Sequence, residues 1–257
     1  MKALWLAALA AGMAPLVLGA NAPDPFGGRA PNGSYLKPAG SGTKTDPKSL
    51  PDFAGVWVRA EGLTHPDQSK ILPFMTDEAA ADWKRKIAAH DFRVPWSFCE
   101  PTAVPAMMTE FGLPIEVLMT AGRVTLLAPD GQIRSIYTDG STHPEASLNG
   151  TYFGNSIGHW EGATLVVETT DLRPENDVVM GLPAGTDNMK VMERLTLVDK
   201  DRLRDELEVT GPKYLKAPYR YTQFFTRRRD LRLAEFVCLP ESNRNTGNAV
   251  DLTPPKD

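Results

Sequence analysis

Apolar positions recur along this chain in two periods. Between Thr76 and His90 the spacing is helical: Ala80, Trp83 and Ile87 share a face, Thr76 stands at the cap, and Asp77 and Glu78 open the first turn. Lys84, Arg85, Lys86 and His90 suit the other end, where carbonyl dipoles favour cations. One amphipathic helix is predicted there. From Ile115 onward the period shortens to two. Alternation predicts strands at 115–119, 123–128, 132–138, 152–160, 163–170, 189–198, 203–210, 219–226 and 232–238. Pro129-Asp130-Gly131, Glu161-Gly162, Asp199-Lys200-Asp201 and Gly211-Pro212 supply turns between them, and links this short predict antiparallel neighbours. A further strand opens earlier, at Asp52-Phe53-Ala54-Gly55-Val56-Trp57.

That opening strand carries Gly55-Val56-Trp57, which resembles the first strand of lipocalin-type barrels, where the tryptophan plugs the barrel floor. The expected fold is therefore mainly β: an antiparallel meander closing as a lipocalin-like β-barrel, with one N-terminal amphipathic helix. A two-sheet β-sandwich is the alternative.

Strand parity sorts the side chains. In 203–209, Leu203, Asp205, Leu207 and Val209 share one face, while Arg204, Glu206 and Glu208 line the other, as in a half-buried antiparallel strand. In 191–197, Glu193 shares its face with Val191, Leu195 and Leu197, so it is expected to point inward. An inward carboxylate needs a partner or a raised pKa. It is either a general acid or base, or a structural group paired with a buried Arg or Tyr.

His159 and Glu161 share the parity of Ile157 near a hairpin turn, where a barrel mouth would let imidazole and carboxylate shuttle a proton; the alternative is an ordinary rim. Trp160 takes the opposite parity with Ser156 and Gly158, as core or pocket wall. Tyr137, His143, Tyr221 and Phe225 join Trp160 and Glu161 as candidate ligand-lining residues, with Glu193 and His159 as candidate catalytic ones. Gly154-Asn155-Ser156-Ile157-Gly158 has the spacing of a nucleophile elbow but sits on a predicted strand, without the strand-to-helix turn that motif requires. No local spacing makes a metal site of His143, His159 and Glu161, and no phosphate or dinucleotide fingerprint is present, so neither metal nor cofactor is expected. Arg227, Arg228, Arg229 and Arg232 read as a solvated hairpin end that protects an edge, with reception of an anionic ligand as the alternative.

Targeting and composition change the setting. Lys2, the apolar run Ala3 to Leu18, and Ala20-Asn21-Ala22 form a signal peptide over 1–22. A Pro- and Gly-rich stretch over 23–50 follows as a disordered linker, 51–240 forms one domain, and 241–257 is a disordered tail. The mature protein is expected in the periplasm or secreted, with no second apolar stretch to insert in a membrane. In that oxidising setting Cys99 and Cys238, the only two cysteines, are expected to form a disulfide. Across 257 residues, 28 Lys+Arg against 32 Asp+Glu leave no basic footprint for nucleic acid, and 22 Pro with 21 Gly disfavour a helical bundle.

The segment Gly154-Asn155-Ser156-Ile157-Gly158-His159-Trp160-Glu161-Gly162-Ala163-Thr164-Leu165-Val166-Val167-Glu168-Thr169 resembles the GxSxGxWEGxTLVVxT signature of a largely uncharacterised family of exported bacterial β-rich proteins. The chain departs from that family's pattern at Asn155, Ser141 and Ala163, where histidine, arginine and aspartate often stand. The resemblance implies fold and compartment and no particular reaction. Two functions fit: a barrel that binds a small hydrophobic or aromatic molecule in its cavity, or a cofactor-independent lyase, isomerase or hydrolase using Glu193 or His159 in the same cavity.

Overall fold

The computed structural model describes residues 45–60, 68–89, 99–101, 103–109, 114–144, 150–173, 177–179, 182–183, 189–235 and 237. The expected signal peptide, most of the expected linker and the expected tail lie outside them. The last residues of that linker form a 3-10 turn, Pro47–Ser49, capped by Asp46, whose carboxylate accepts the Lys48 N–H at 2.9 Å.

The elements then run β1 (Gly55–Arg59), a 3-10 segment (Gln68–Phe74), α1 (Asp77–Ala89), α2 (Ala106–Thr109), β2 (Ile115–Thr120), β3 (Arg123–Leu127), β4 (Ile133–Tyr137), β5 (Asn155–Glu161) and β6 (Thr164–Thr170). After these come β7 (Asp177–Val179), β8 (Leu182–Pro183), β9 (Lys190–Asp199), β10 (Arg202–Thr210) and β11 (Tyr219–Arg227). Nine strands close one barrel in the order β1-β11-β10-β9-β6-β5-β4-β3-β2, with β1 also paired to β2. The sheet is a closed barrel and not a sandwich. Among the described residues no helix is long and apolar enough to cross a membrane.

Two expectations about the strands need correction. The strand expected at 232–238 does not form over its described residues. The free edge of β11 is already taken by β1, with Trp57 opposite Arg227 and Arg59 opposite Phe225, so no edge remains for it. The barrel is also not wholly antiparallel: β4 and β5 are parallel, Ile136 opposite Ser156 and Tyr137 opposite Ile157. Their connection, 138–154, is long enough to carry the chain back to the starting end. The short β7–β8 pair, set between β6 and β9 in the chain, has too few residues for its alternation to show in sequence.

Inward side chains build two apolar clusters. One gathers Phe53, Trp57, Ile115, Val124, Ile136, Leu165, Leu195, Leu203 and Phe225. Trp57 is fully buried there; its ring N–H donates to the Phe53 carbonyl at 2.8 Å, and the Arg227 guanidinium stacks 4.6 Å above its centroid. Arg227 therefore belongs to the barrel interior and not to the solvated end expected of it, and Asp52 meets its charge at 3.0 Å. Arg228 and Arg229 do sit outside, paired with Asp230 and Asp201.

The other cluster gathers Val191, Leu207, Val209 and Tyr219 with Ile71 and Met75 from the segment before α1 and Ala79 from α1 itself. Ala80 and Trp83 pack against it, so the apolar face of the helix covers this part of the barrel. Thr76 caps α1 by accepting the Ala79 N–H at 3.3 Å.

Candidate functional site

Between the two clusters the lumen is polar. On β9 Glu193 follows Val191 of one cluster and precedes Leu195 of the other, and on β10 Asp205 stands likewise between Leu207 and Leu203. Pleating puts all of these on the inner face. Arg134 of β4, Ser156 of β5, Thr169 of β6, Glu193, Asp205 and Gln223 of β11 are all buried, six polar side chains on six different strands.

Four of them form a closed network. The Arg134 guanidinium donates to Glu193 Oε1 at 2.9 Å and also to Oε2, while the same group reaches Thr169 Oγ1 at 3.0 Å and Ser156 Oγ at 3.3 Å. The Ser156 and Thr169 hydroxyls are 2.8 Å apart. Burial alone would lower the Arg134 pKa, but the Glu193 charge and its hydrogen bonds outweigh that and raise it. The fork geometry satisfies both carboxylate oxygens in a place water does not reach.

Asp205 is different. It is fully buried, and among the described residues neither of its carboxyl oxygens has a hydrogen-bond partner. Desolvation pushes its pKa well above the ordinary aspartate value, the nearby Glu193 charge pushes the same way, and Arg134 and Gln223 offset this only in part. Gln223 faces Asp205 across the β10–β11 ladder, and its amide nitrogen donates one hydrogen bond to the Met108 carbonyl.

The residues singled out in sequence divide between the two faces of the wall. Glu193, Trp160, Tyr221 and Phe225 belong to the inner face. Trp160 stacks edge-on with Phe53, centroids 5.2 Å apart, and Tyr221 lies 5.4 Å from the Tyr219 ring. Tyr137, His159 and Glu161 face outward, as does His143 through its partners. His159 lies 3.1 Å from Glu161, which also takes the Arg194 guanidinium at 2.8 Å. Hydrogen bonds from Arg194 and then His159 hold Glu161 below the usual glutamate value. His143 places Nδ1 2.9 Å from Asn155 Oδ1 and 3.2 Å from Thr170 Oγ1, and Nε2 3.0 Å from Glu168, which Lys190 meets from the other side at 3.3 Å. Glu193 and His159, the two candidate catalytic residues, are thus separated by the sheet.

Gly158 marks why the long motif has small residues. A Cβ there would come within 3.0 Å of Ile136 and 3.1 Å of Leu165, at the parallel seam of β4 and β5. Ser156 in the same motif is a strand residue bound to Arg134 and Thr169. Among the described residues no group of three or more His, Cys, Asp or Glu side chains is placed to hold a metal ion.

Arg134, Thr169, Asp205 and Gln223 are the polar residues that sequence reasoning did not single out. Asp205 carried a readable signal, since it shares its face with Leu203, Leu207 and Val209. Arg134 did not: in Ile133-Arg134-Ser135-Ile136-Tyr137 both parities carry an isoleucine.

No family model and no curated protein matches the chain. Among solved structures, the luciferase domain from the dinoflagellate Lingulodinium polyedrum overlaps 76% of this chain at 15% identity and a TM-score of 0.31. The overlap spans 45% of that structure, less than half its length. A likeness this loose carries nothing over to the site.

Proposed function

We propose that the protein is exported and that its barrel binds a small hydrophobic or aromatic molecule in the lumen, between the aromatic rings and the polar layer. The observation that carries this reading is the Asp205 carboxyl, buried in the polar layer with no hydrogen-bond partner for either oxygen among the described residues. An unsatisfied buried polar group costs about 1–3 kcal/mol, a cost that a bound molecule offering a polar atom removes. Trp160, Tyr221 and Phe225 supply ring surface on the same inner face.

Geometry lends the enzymatic alternative less support. Glu193 is held by two guanidinium nitrogens, and His159 stands outside the barrel. The expected disulfide fits the exported reading: among the described residues no cysteine is a free thiol, and Cys99 lines the same hollow of about 620 Å³ as Val237, the residue before Cys238. Cys238 itself lies outside the described residues.

The test is titration of the purified protein with phenylnaphthylamine, an apolar dye that brightens in dry surroundings. Saturable binding that Trp160→Ala weakens supports lumen binding. No saturable binding, or binding indifferent to Trp160, removes it.

A further inference from the structure

The chain occupies part of its own lumen. Ala103, Val104, Ala106 and Met108 are all at most 2% exposed, though they belong to a turn and the single-turn α2 and not to the wall. Val104 lies in the cluster of Val191, Leu207 and Val209, and Met108 in the cluster of Trp57, Leu195 and Phe225. The segment therefore runs from one apolar cluster to the other past the polar layer. There the inward Gln223 amide donates to the Met108 backbone carbonyl, a side chain of the wall satisfying a carbonyl of the plug.

We propose that Asp205 and Gln223 form a carbonyl-recognition site, at present answered by the protein's own Met108 carbonyl, and that its ligand is a neutral apolar molecule bearing a ketone, ester or amide group. This rests on the lumen-binding reading above and names the chemistry of that ligand. Asp205 and Gln223 stand opposite each other on adjacent strands and face the same interior. The Gln223 amide is a donor already aimed at a carbonyl oxygen. Burial and the Glu193 charge favour the protonated form of Asp205, in which the carboxyl is a second donor, and neither of its oxygens has a hydrogen-bond partner among the described residues. Two donors with one acceptor between them describe a site for a carbonyl oxygen, the group with two lone pairs to receive them.

Neutrality follows from the charges around the layer. Arg134 is consumed by Glu193, Arg227 by Asp52 and the Trp57 ring, and Arg59 has an interaction of its own. Among the described residues an anionic ligand would find no unpaired cation to receive it, and a cationic one would have to ionise Asp205 beside the Glu193 charge, both costly in such surroundings. A neutral carbonyl compound exchanges with the Met108 carbonyl at Gln223 and adds the hydrogen bond that Asp205 lacks.

The experiment compares two neutral fluorescent probes on the full-length purified protein: prodan, an aromatic ketone, and phenylnaphthylamine, which has no carbonyl. Asp205→Leu removes the donor together with an unsatisfied buried group. It is expected to weaken prodan about three- to tenfold, the range of one hydrogen bond, while phenylnaphthylamine changes less than about twofold. Asp205→Asn, which keeps an N–H donor, retains prodan affinity, and Gln223→Leu weakens prodan selectively. If Asp205→Leu fails to fold, the Asn and Gln223 variants carry the comparison. Phenylnaphthylamine binding in the lumen with no selective loss of prodan overturns the carbonyl site and leaves lumen binding standing. Failure of both probes to bind overturns the two together.

Discussion

The same strands build two polar clusters on opposite faces, and the clusters behave as different materials. Thr169 and Ser156 point inward and meet Arg134, which binds Glu193, all buried; Thr170 and Asn155, one residue away, point outward and meet His143, which reaches Glu168, these last two one-quarter and one-third exposed. Similar residue types are thus sorted by a one-residue step in a pleated strand. Inside, no water competes, so each hydrogen bond missed leaves a full desolvation penalty. Outside, water substitutes for any partner and salt screens the charges. The number of polar contacts says little; the face on which they sit decides what they contribute.

Removal of one inner partner is the sharpest break of that contrast. Glu193→Ala strands Arg134 in the lumen and is expected to cost about 3–5 kcal/mol in urea unfolding. Replacing the pair together, Arg134→Met with Glu193→Leu, is expected to recover most of that loss. A double variant as unstable as the single one would mean the layer does more than neutralise itself.

Asp205 sharpens the contrast through pH. Its raised pKa means that the folded protein keeps a proton which the unfolded chain, with an ordinary value of 3.8, has released. The folded state then binds more protons over that window, so stability falls as pH rises from about 4 towards the raised value. Asp205→Asn abolishes that part of the slope and leaves the protein more stable near neutrality. Chemical denaturation across pH reads it directly, and an unchanged slope in the variant would place the loss elsewhere.

The outer cluster should respond least. Glu168→Ala, which breaks contacts to His143 and Lys190, is expected to cost no more than about 1 kcal/mol, with the effect shrinking in high salt. A loss as large as that of Glu193→Ala would make His143 a structural anchor and erase the distinction between the faces.

Much of the wall was legible because alternation over six to ten residues is a strong signal. Lys190–Asp199, Arg202–Thr210 and Tyr219–Arg227 lie within a residue of their expected bounds, and the inward orientation of Glu193 follows from Val191, Leu195 and Leu197. Parity alone does not say which side is the lumen near a strand end. Ile157, His159 and Glu161 were placed on one face correctly, yet that face is the outer one, because Gly158 and Trp160 turn toward Ile136, Leu165 and Phe53. The direction of the β4–β5 pairing is a long-range property that no local spacing encodes. Arg134 escaped for the same reason that buried arginines generally do: its partner is 59 residues away, and only the closed barrel brings them together.

The central claim is that a small apolar molecule enters the lumen and not the groove of about 490 Å³ that Val166, Met192, Arg194 and Arg220 line outside. Methyl-resolved NMR during a phenylnaphthylamine titration separates these faces. Lumen binding predicts shifts at the inward Leu165, Val167, Leu195 and Leu203, with the outward Val166 and Met192 unmoved. Shifts confined to Val166 and Met192 would contradict it.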